Sequence, residues 1–216
     1  QNNMQQNMLK SNTSIVGMVC KDGVVLGADR RATAGTIVMR KTAQKIIQIN
    51  DYIATAGTGL SSDIDMHQKI IAAELRLKEL KTKSRPTVKE AANLLAMLMY
   101  RGIRTPSMVP SMVGMLIAGV DENGKSALYT IDPAGAVEEV NDYDANFSSG
   151  MPYILGLMER MYKKDITVKE GIELAKECIK ASTQRDIGSG NGIDVFAITK
   201  EGVKHVVSEE IVAEYK

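Results

Sequence analysis

The 216-residue chain is 44% hydrophobic and 25% charged, enough for one domain with a sizeable buried core. Lys plus Arg (27) and Asp plus Glu (26) nearly cancel to a net charge of +1, which excludes the basic footprint of a nucleic-acid binder or of a protein held on an anionic membrane. The two cysteines, Cys20 and Cys178, lie far apart with no CxxC or Cys/His spacing, which speaks against a zinc site or a disulfide framework and suits a reducing cytoplasm.

The first segment, QNNMQQNMLKSN, is rich in Asn and Gln and has no apolar core of a secretory signal; no stretch of the sequence approaches the roughly 18 apolar residues of a membrane span. It reads as a dispensable terminus or, more sharply, as a propeptide covering residues 1–12, because at Thr13 the composition changes abruptly to an apolar run. Strands are expected at Ser14–Cys20 and Val24–Ala28, turning at Asp22-Gly23, a dipeptide that tolerates positive φ. Short β-branched stretches predict further strands at Thr36–Met39, Lys45–Ile49 and Tyr52–Ala56.

Leu60, Ile64, His67, Ile71 and Leu75 recur at helical steps and predict a first helix. Thr87 and Glu90 form a capping-box pattern that starts a second, ahead of the stripe Val88, Ala91, Leu95, Met99. Strands resume at Met112–Val120, turn at Asn123-Gly124, continue at Ser126–Ile131, and are expected again at Ala136–Val140 and Ala145–Ser148. Two more helices, about 151–163 and 168–185, follow; Thr167 and Glu170 cap the latter. A closing hairpin of Ile193–Thr199 and Val203–Val207 precedes EEIVAEYK, a short amphipathic helix or tail. Helices arriving in consecutive pairs between blocks of strands disfavour alternating βαβ units. The expectation is an α+β fold in one domain, residues 13–216: a four-layer αββα sandwich of two antiparallel sheets flanked by helix pairs.

Periodicity does not name an activity. The run TSIVGMVCKDGVVLGADRRAT, then Lys45, ATAGTGLSSD, FSSGMPYILG and QRDIGSGNGIDV together resemble proteasome β subunits over residues 13 to 207, with an N-terminal-nucleophile hydrolase fold. The resemblance implies a threonine endopeptidase whose nucleophile is Thr13, released by autocatalytic cleavage of the Asn12–Thr13 bond. A hydroxyl is a weak nucleophile and needs a base; the freed α-amine, with an ordinary pKa of about 7.7 to 8.0, supplies one near neutral pH. Lys45 would favour the unprotonated amine, and Asp29 would hold Lys45 charged and oriented. Gly59 would point its N–H at the oxyanion. Ser149, Asp186 and Ser189 would form the hydrogen-bond network around the amine. Without the resemblance, Asp29 and Lys45 read as surface charges at strand ends, Gly59 as a turn glycine, Ser149 as a helix cap and Asp186 as a helix terminator.

The resemblance also places substrate at Ala32, Thr33, Ala43, Ile47, Gly57, Ser61 and Asp65. Gly57 would open the floor of the specificity pocket and Asp65 would pair with a basic side chain, giving cleavage after Lys or Arg; a neighbouring subunit neutralising Asp65 would instead leave a preference for large apolar residues. Three departures from the family pattern stand out: Asn12 and Ser148 where glycine is usual, and Ser14 where threonine is frequent. No cofactor or metal is implied. Expected partners are proteasome α subunits and other β subunits in four stacked seven-membered rings, ATP-dependent unfoldases and unfolded polypeptide substrates, in the cytoplasm, with no nucleic acid or membrane. Remaining alternatives are a non-catalytic ring subunit of the same fold, the simpler two-ring bacterial protease related to proteasomes, and an α/β binding module using the Gly57–Gly59 turn as a ligand loop.

Overall fold

The structure, a computed structural model, describes residues 12–212. Most of the expected propeptide, residues 1–11, lies outside the described residues, as do residues 213–216 of the expected C-terminal helix or tail.

Among the described residues, twelve strands and four helices follow one another as β1 (Ile15–Cys20), β2 (Gly23–Asp29), β3 (Ala32–Ala34), β4 (Ile37–Arg40), β5 (Ile46–Asn50), β6 (Ile53–Gly59), α1 (Ser61–Thr82), α2 (Val88–Arg104), β7 (Val113–Val120), β8 (Ser126–Ile131), β9 (Val137–Val140), β10 (Tyr143–Asp144), α3 (Met151–Met161), α4 (Val168–Thr183), β11 (Gly192–Thr199) and β12 (Gly202–Glu210). One antiparallel sheet runs β10-β1-β2-β11-β12 and the other β5-β6-β7-β8-β9, with β3–β4 as a separate hairpin.

The two-residue period of the strands sorts their side chains into three apolar layers. Ile15, Leu26, Ala28, Ala54, Ala56, Leu116, Leu128 and Phe196 meet between the sheets. Their neighbours Val16, Met18, Val25 and Val195 point the other way onto Ile154 and Met158 of α3 and Cys178 and Ile179 of α4. Ile53, Met115 and Ile117 turn outward onto Ile71 and Leu75 of α1 and Leu95 and Met99 of α2. Each sheet is thus covered on both faces, and the fold is the α+β four-layer sandwich expected from the sequence. Truncating a side chain in the middle layer, such as Leu116 to Ala, would cost about 2–5 kcal/mol.

Both capping boxes form, with Thr87 Oγ1 accepting from Glu90 N–H and Thr167 Oγ1 from Glu170 N–H. The first hairpin turns on Lys21 and Asp22, and Gly23 begins β2 without positive φ. Its glycine answers to space instead: a β-carbon there would lie 2.5 Å from the Ile198 carbonyl oxygen.

The expected strand at Ala145–Ser148 is not formed; pairing stops at Asp144. Asn146 takes φ 49°, and its amide donates to the Met115 carbonyl, Thr130 Oγ1 and the Ile131 carbonyl while accepting from Phe147 N–H. The side chain replaces a ladder partner for the segment. At the C-terminal end, Glu209 and Glu210 extend β12 rather than starting a helix.

Candidate active site

Strand β1 presents Thr13 and Ser14 at its entrance, and the end of β2, the turn before α3 and the loop after α4 bring the polar groups to them. Thr13 is 3% exposed. Its N–H donates to Ser149 Oγ at 3.0 Å, and its carbonyl accepts from Gly150 N–H at 3.2 Å. Ser149 Oγ, already an acceptor, has one proton to give; the shorter path is to Asp186 Oδ2 at 2.6 Å, with the Thr13 carbonyl oxygen at 3.0 Å. Ser189 Oγ donates to the same carboxylate oxygen, so the 2.6 Å bond between Ser14 Oγ and Ser189 Oγ has Ser14 as donor. Asp186 therefore gathers two relays, one from Thr13 N–H through Ser149 and one from the Ser14 hydroxyl through Ser189.

Asp29 closes the other side. Its Oδ1 accepts from Ser14 N–H at 2.9 Å and from Lys45 Nζ at 2.7 Å. Its Oδ2 accepts from the backbone N–H of Arg31 and of Gly190, both at 2.9 Å. The carboxylate is fully buried and saturated by four donors, as a buried charge must be. Burial pushes Lys45 below the usual lysine range; the charge and hydrogen bond of Asp29, and the more distant Asp186, oppose that. The structure thus brings Thr13, Asp29, Lys45, Ser149, Asp186 and Ser189 into one neighbourhood.

Gly59 stands apart from this network, at the end of β6 and just ahead of α1. It has φ 114°, and a β-carbon on it would lie 2.2 Å from the Met112 carbonyl oxygen, so only glycine fits. Asn12 directly precedes Thr13 and is partly buried.

The residues expected to hold substrate are spread over neighbouring elements. Ala32 and Thr33 lie on β3, Ala43 in the loop before β5, Ile47 on β5, Gly57 on β6, and Ser61 and Asp65 on α1. Gly57 does not leave empty room, because Ile64 Cγ2 and Met115 Sδ stand 2.6 and 2.8 Å from where its β-carbon would be. Asp65 is exposed and paired at 2.6 Å with Lys69 one turn along. Such exposed pairs are worth about 0.3–0.5 kcal/mol and exchange partners readily.

Arg31 is a residue that sequence reasoning missed. Its Nε donates to Asn191 Oδ1 at 2.8 Å and its Nη1 to the Ile187 carbonyl at 3.0 Å, so it fastens the 186–191 loop that carries Asp186 and Ser189. Gly190 lets the guanidinium lie against the backbone, 2.5 Å from the place of a β-carbon. The only signal in the sequence was its place two residues after Asp29, since its partners lie about 160 positions away.

Fold and site define a protein of the proteasome subunit class: the family model for "Proteasome subunit" matches residues 9–198. The chain belongs to that family, and its sandwich is the N-terminal-nucleophile hydrolase fold. It is similar to the proteasome subunit beta of Nanoarchaeum equitans, 42% identical over 197 residues that cover 91% of this chain and 98% of the relative. The proteasome subunit beta 1 of Thermococcus onnurineus is 42% identical over 201 residues, 93% of this chain and 95% of that one. For the proteasome subunit beta of Archaeoglobus profundus the figures are 38% over 207 residues, 95% and 93%. Among the described residues no helix is long and apolar enough to cross a membrane.

Proposed function

We propose that this chain is a proteolytic β-type subunit of a proteasome core particle, a threonine endopeptidase with Thr13 as nucleophile. The observation that carries the reading is the buried Thr13, whose N–H is relayed through Ser149 to Asp186, next to Ser14, whose N–H shares Asp29 with Lys45. In the uncut chain that nitrogen is an amide and no base. Cleavage of Asn12–Thr13 turns it into an amine held by Ser149, within reach of its own hydroxyl. Lys45 is held by the Asp29 oxygen that also accepts from Ser14 N–H, the residue after the nucleophile, and in this reading its positive charge disfavours protonation of the amine. Gly59 is the expected oxyanion donor through its backbone N–H, at a position where positive φ and the Met112 carbonyl admit only glycine.

Assembly follows from the relatives' description as proteasome subunits. The chain takes its place with α subunits and further copies or other β subunits in four stacked heptameric rings, fed with unfolded polypeptide by ATP-dependent unfoldases in the cytoplasm. Enclosure is what confines an unselective nucleophile to unfolded chains. Asp65 is exposed and paired with Lys69 in a surface ion pair that a basic substrate side chain can displace, which supports cleavage after Arg or Lys.

The deciding experiment follows the intact mass of this chain over time after mixing with α-type partners, beside a Thr13→Ala control. Loss of the residues before Thr13 in the wild type but not in the control is the expected result. Retention in both, within assembled particles, refutes self-processing and leaves the chain a structural ring subunit.

A further inference from the structure

The residue before Thr13 is held by one glycine. A β-carbon built on Gly188 would lie 1.7 Å from Asn12 Cβ, 2.7 Å from its Cγ and 2.8 Å from its Nδ2, and these are the nearest atoms it would meet. The Asn12 side chain therefore fills the volume that any side chain at 188 would need. Gly188 has no positive φ, so its backbone accepts an L-residue and the glycine is required for space alone. Nor is the loop free to back away. Gly188 N–H donates to Asp186 Oδ1 at 3.2 Å, Ser189 N–H to the Asp186 carbonyl at 3.1 Å, and Arg31 holds the Ile187 carbonyl between them.

We propose that Gly188 is the seat of the residue on the N-terminal side of the nucleophile and determines which leaders can be removed. The inference rests on the reading that the Asn12–Thr13 bond is cut by Thr13. That step needs the Asn12 carbonyl carbon within attacking distance of Thr13 Oγ, and small displacements are costly. Asn12 is fixed from one side by the Thr13 N–H bond to Ser149 and from the other by its packing on Gly188. Asn12 stands where glycine is usual in the family pattern, and the bare backbone at 188 accommodates it. Positions 12 and 188 are coupled: a side chain fits at either one, not at both.

The test is a double-mutant cycle read by intact mass in particles assembled with α-type partners. Wild type, Gly188→Ala, Asn12→Gly and the double variant are compared. Gly188→Ala should slow loss of the leader at least about tenfold, and in the double variant the rate should return to within about threefold of Asn12→Gly. Asn12→Ala in the double variant leaves the Cβ overlap and should not rescue. Unchanged processing in Gly188→Ala overturns the seat, and equal slowing with and without the Asn12 side chain shows a general loop defect and overturns the coupling. If Gly188→Ala alone does not assemble, recovery of assembly in the double variant supports the seat and failure of both overturns it. A wild-type chain that keeps its leader refutes the processing reading itself, and this inference with it.

Discussion

Asp29→Asn keeps the shape of a buried hub and removes its logic. The carboxylate faces donors on both oxygens: Ser14 N–H and Lys45 on one, Arg31 N–H and Gly190 N–H on the other. An amide keeps one accepting oxygen but turns the other into a donating NH2, so in either orientation a pair of buried donors faces N–H groups. Two unpaired buried donors cost about 1–3 kcal/mol each. Lys45 also loses its counter-charge, and removing one partner of a buried pair costs about 3–5 kcal/mol. The two costs overlap, because Lys45 can shed its proton, so the expected loss is about 4 kcal/mol. With a urea slope of about 2–3 kcal/mol per M, the unfolding midpoint of the free chain should fall by about 1.3–2 M at pH 7.

Lys45 supplies a second signature. Its pKa in the folded chain lies below the ordinary 10.5, so between the two values the unfolded chain binds the extra proton and stability rises with pH. The deficit of Asp29→Asn should shrink accordingly at alkaline pH. Urea titrations followed by circular dichroism at pH 7 and pH 9.5 would measure both effects. A midpoint shift worth less than about 1 kcal/mol would refute the claim that this carboxylate fastens β1, β2 and the 186–191 loop together.

Burial raises Cys20 and Cys178 to about 12, so neither should react with a disulfide reagent at pH 8 until the chain is unfolded; rapid labelling of the native chain would contradict their packing. Neither ring nitrogen of buried His67 has a partner among the described residues, and burial pushes its pKa down, against the pull of Asp63. The unfolded chain then binds the proton first, so stability should fall as pH drops below about 6.5, and His67→Leu should flatten that decline in urea titrations at pH 5 and 7. Gly59→Ala meets both positive φ and the Met112 carbonyl, and should abolish peptidase activity of assembled particles and lower the melting temperature. Fluorogenic peptides ending in Arg, Leu and Glu should show the Arg peptide cut fastest; no hydrolysis of it would remove Asp65 from the specificity site.

What could be read from the sequence was mostly local. The strand pattern, both capping boxes and the helix stripes depend on neighbours within a few residues, and Thr87 with Glu90 or Thr167 with Glu170 carry their own geometry. Strand β3 escaped notice because Ala32–Ala34 has no β-branched run and exists by pairing with β4. The Ala145–Ser148 segment was misjudged because the hydrogen bonds of Asn146 go to β7 and β8, distant in sequence. At the site, the resemblance brought the catalytic candidates into view. The clamp by Arg31, the filled space over Gly57 and the seat of Asn12 on Gly188 are contacts across many residues that no short motif encodes.

The embedding of Thr13 has a kinetic consequence. A protease acting from outside needs the target segment exposed and free of structure. Here the residue after the Asn12–Thr13 bond is 3% exposed, its N–H is tied to Ser149 and its carbonyl to Gly150. An outside enzyme would have to peel the chain back into β1, breaking the Ser14 bond to Asp29 on the way. Under the proposed function, the final cut is then left to the chain itself. It should run as a first-order event, once per molecule, at a rate that dilution of assembled particles does not change.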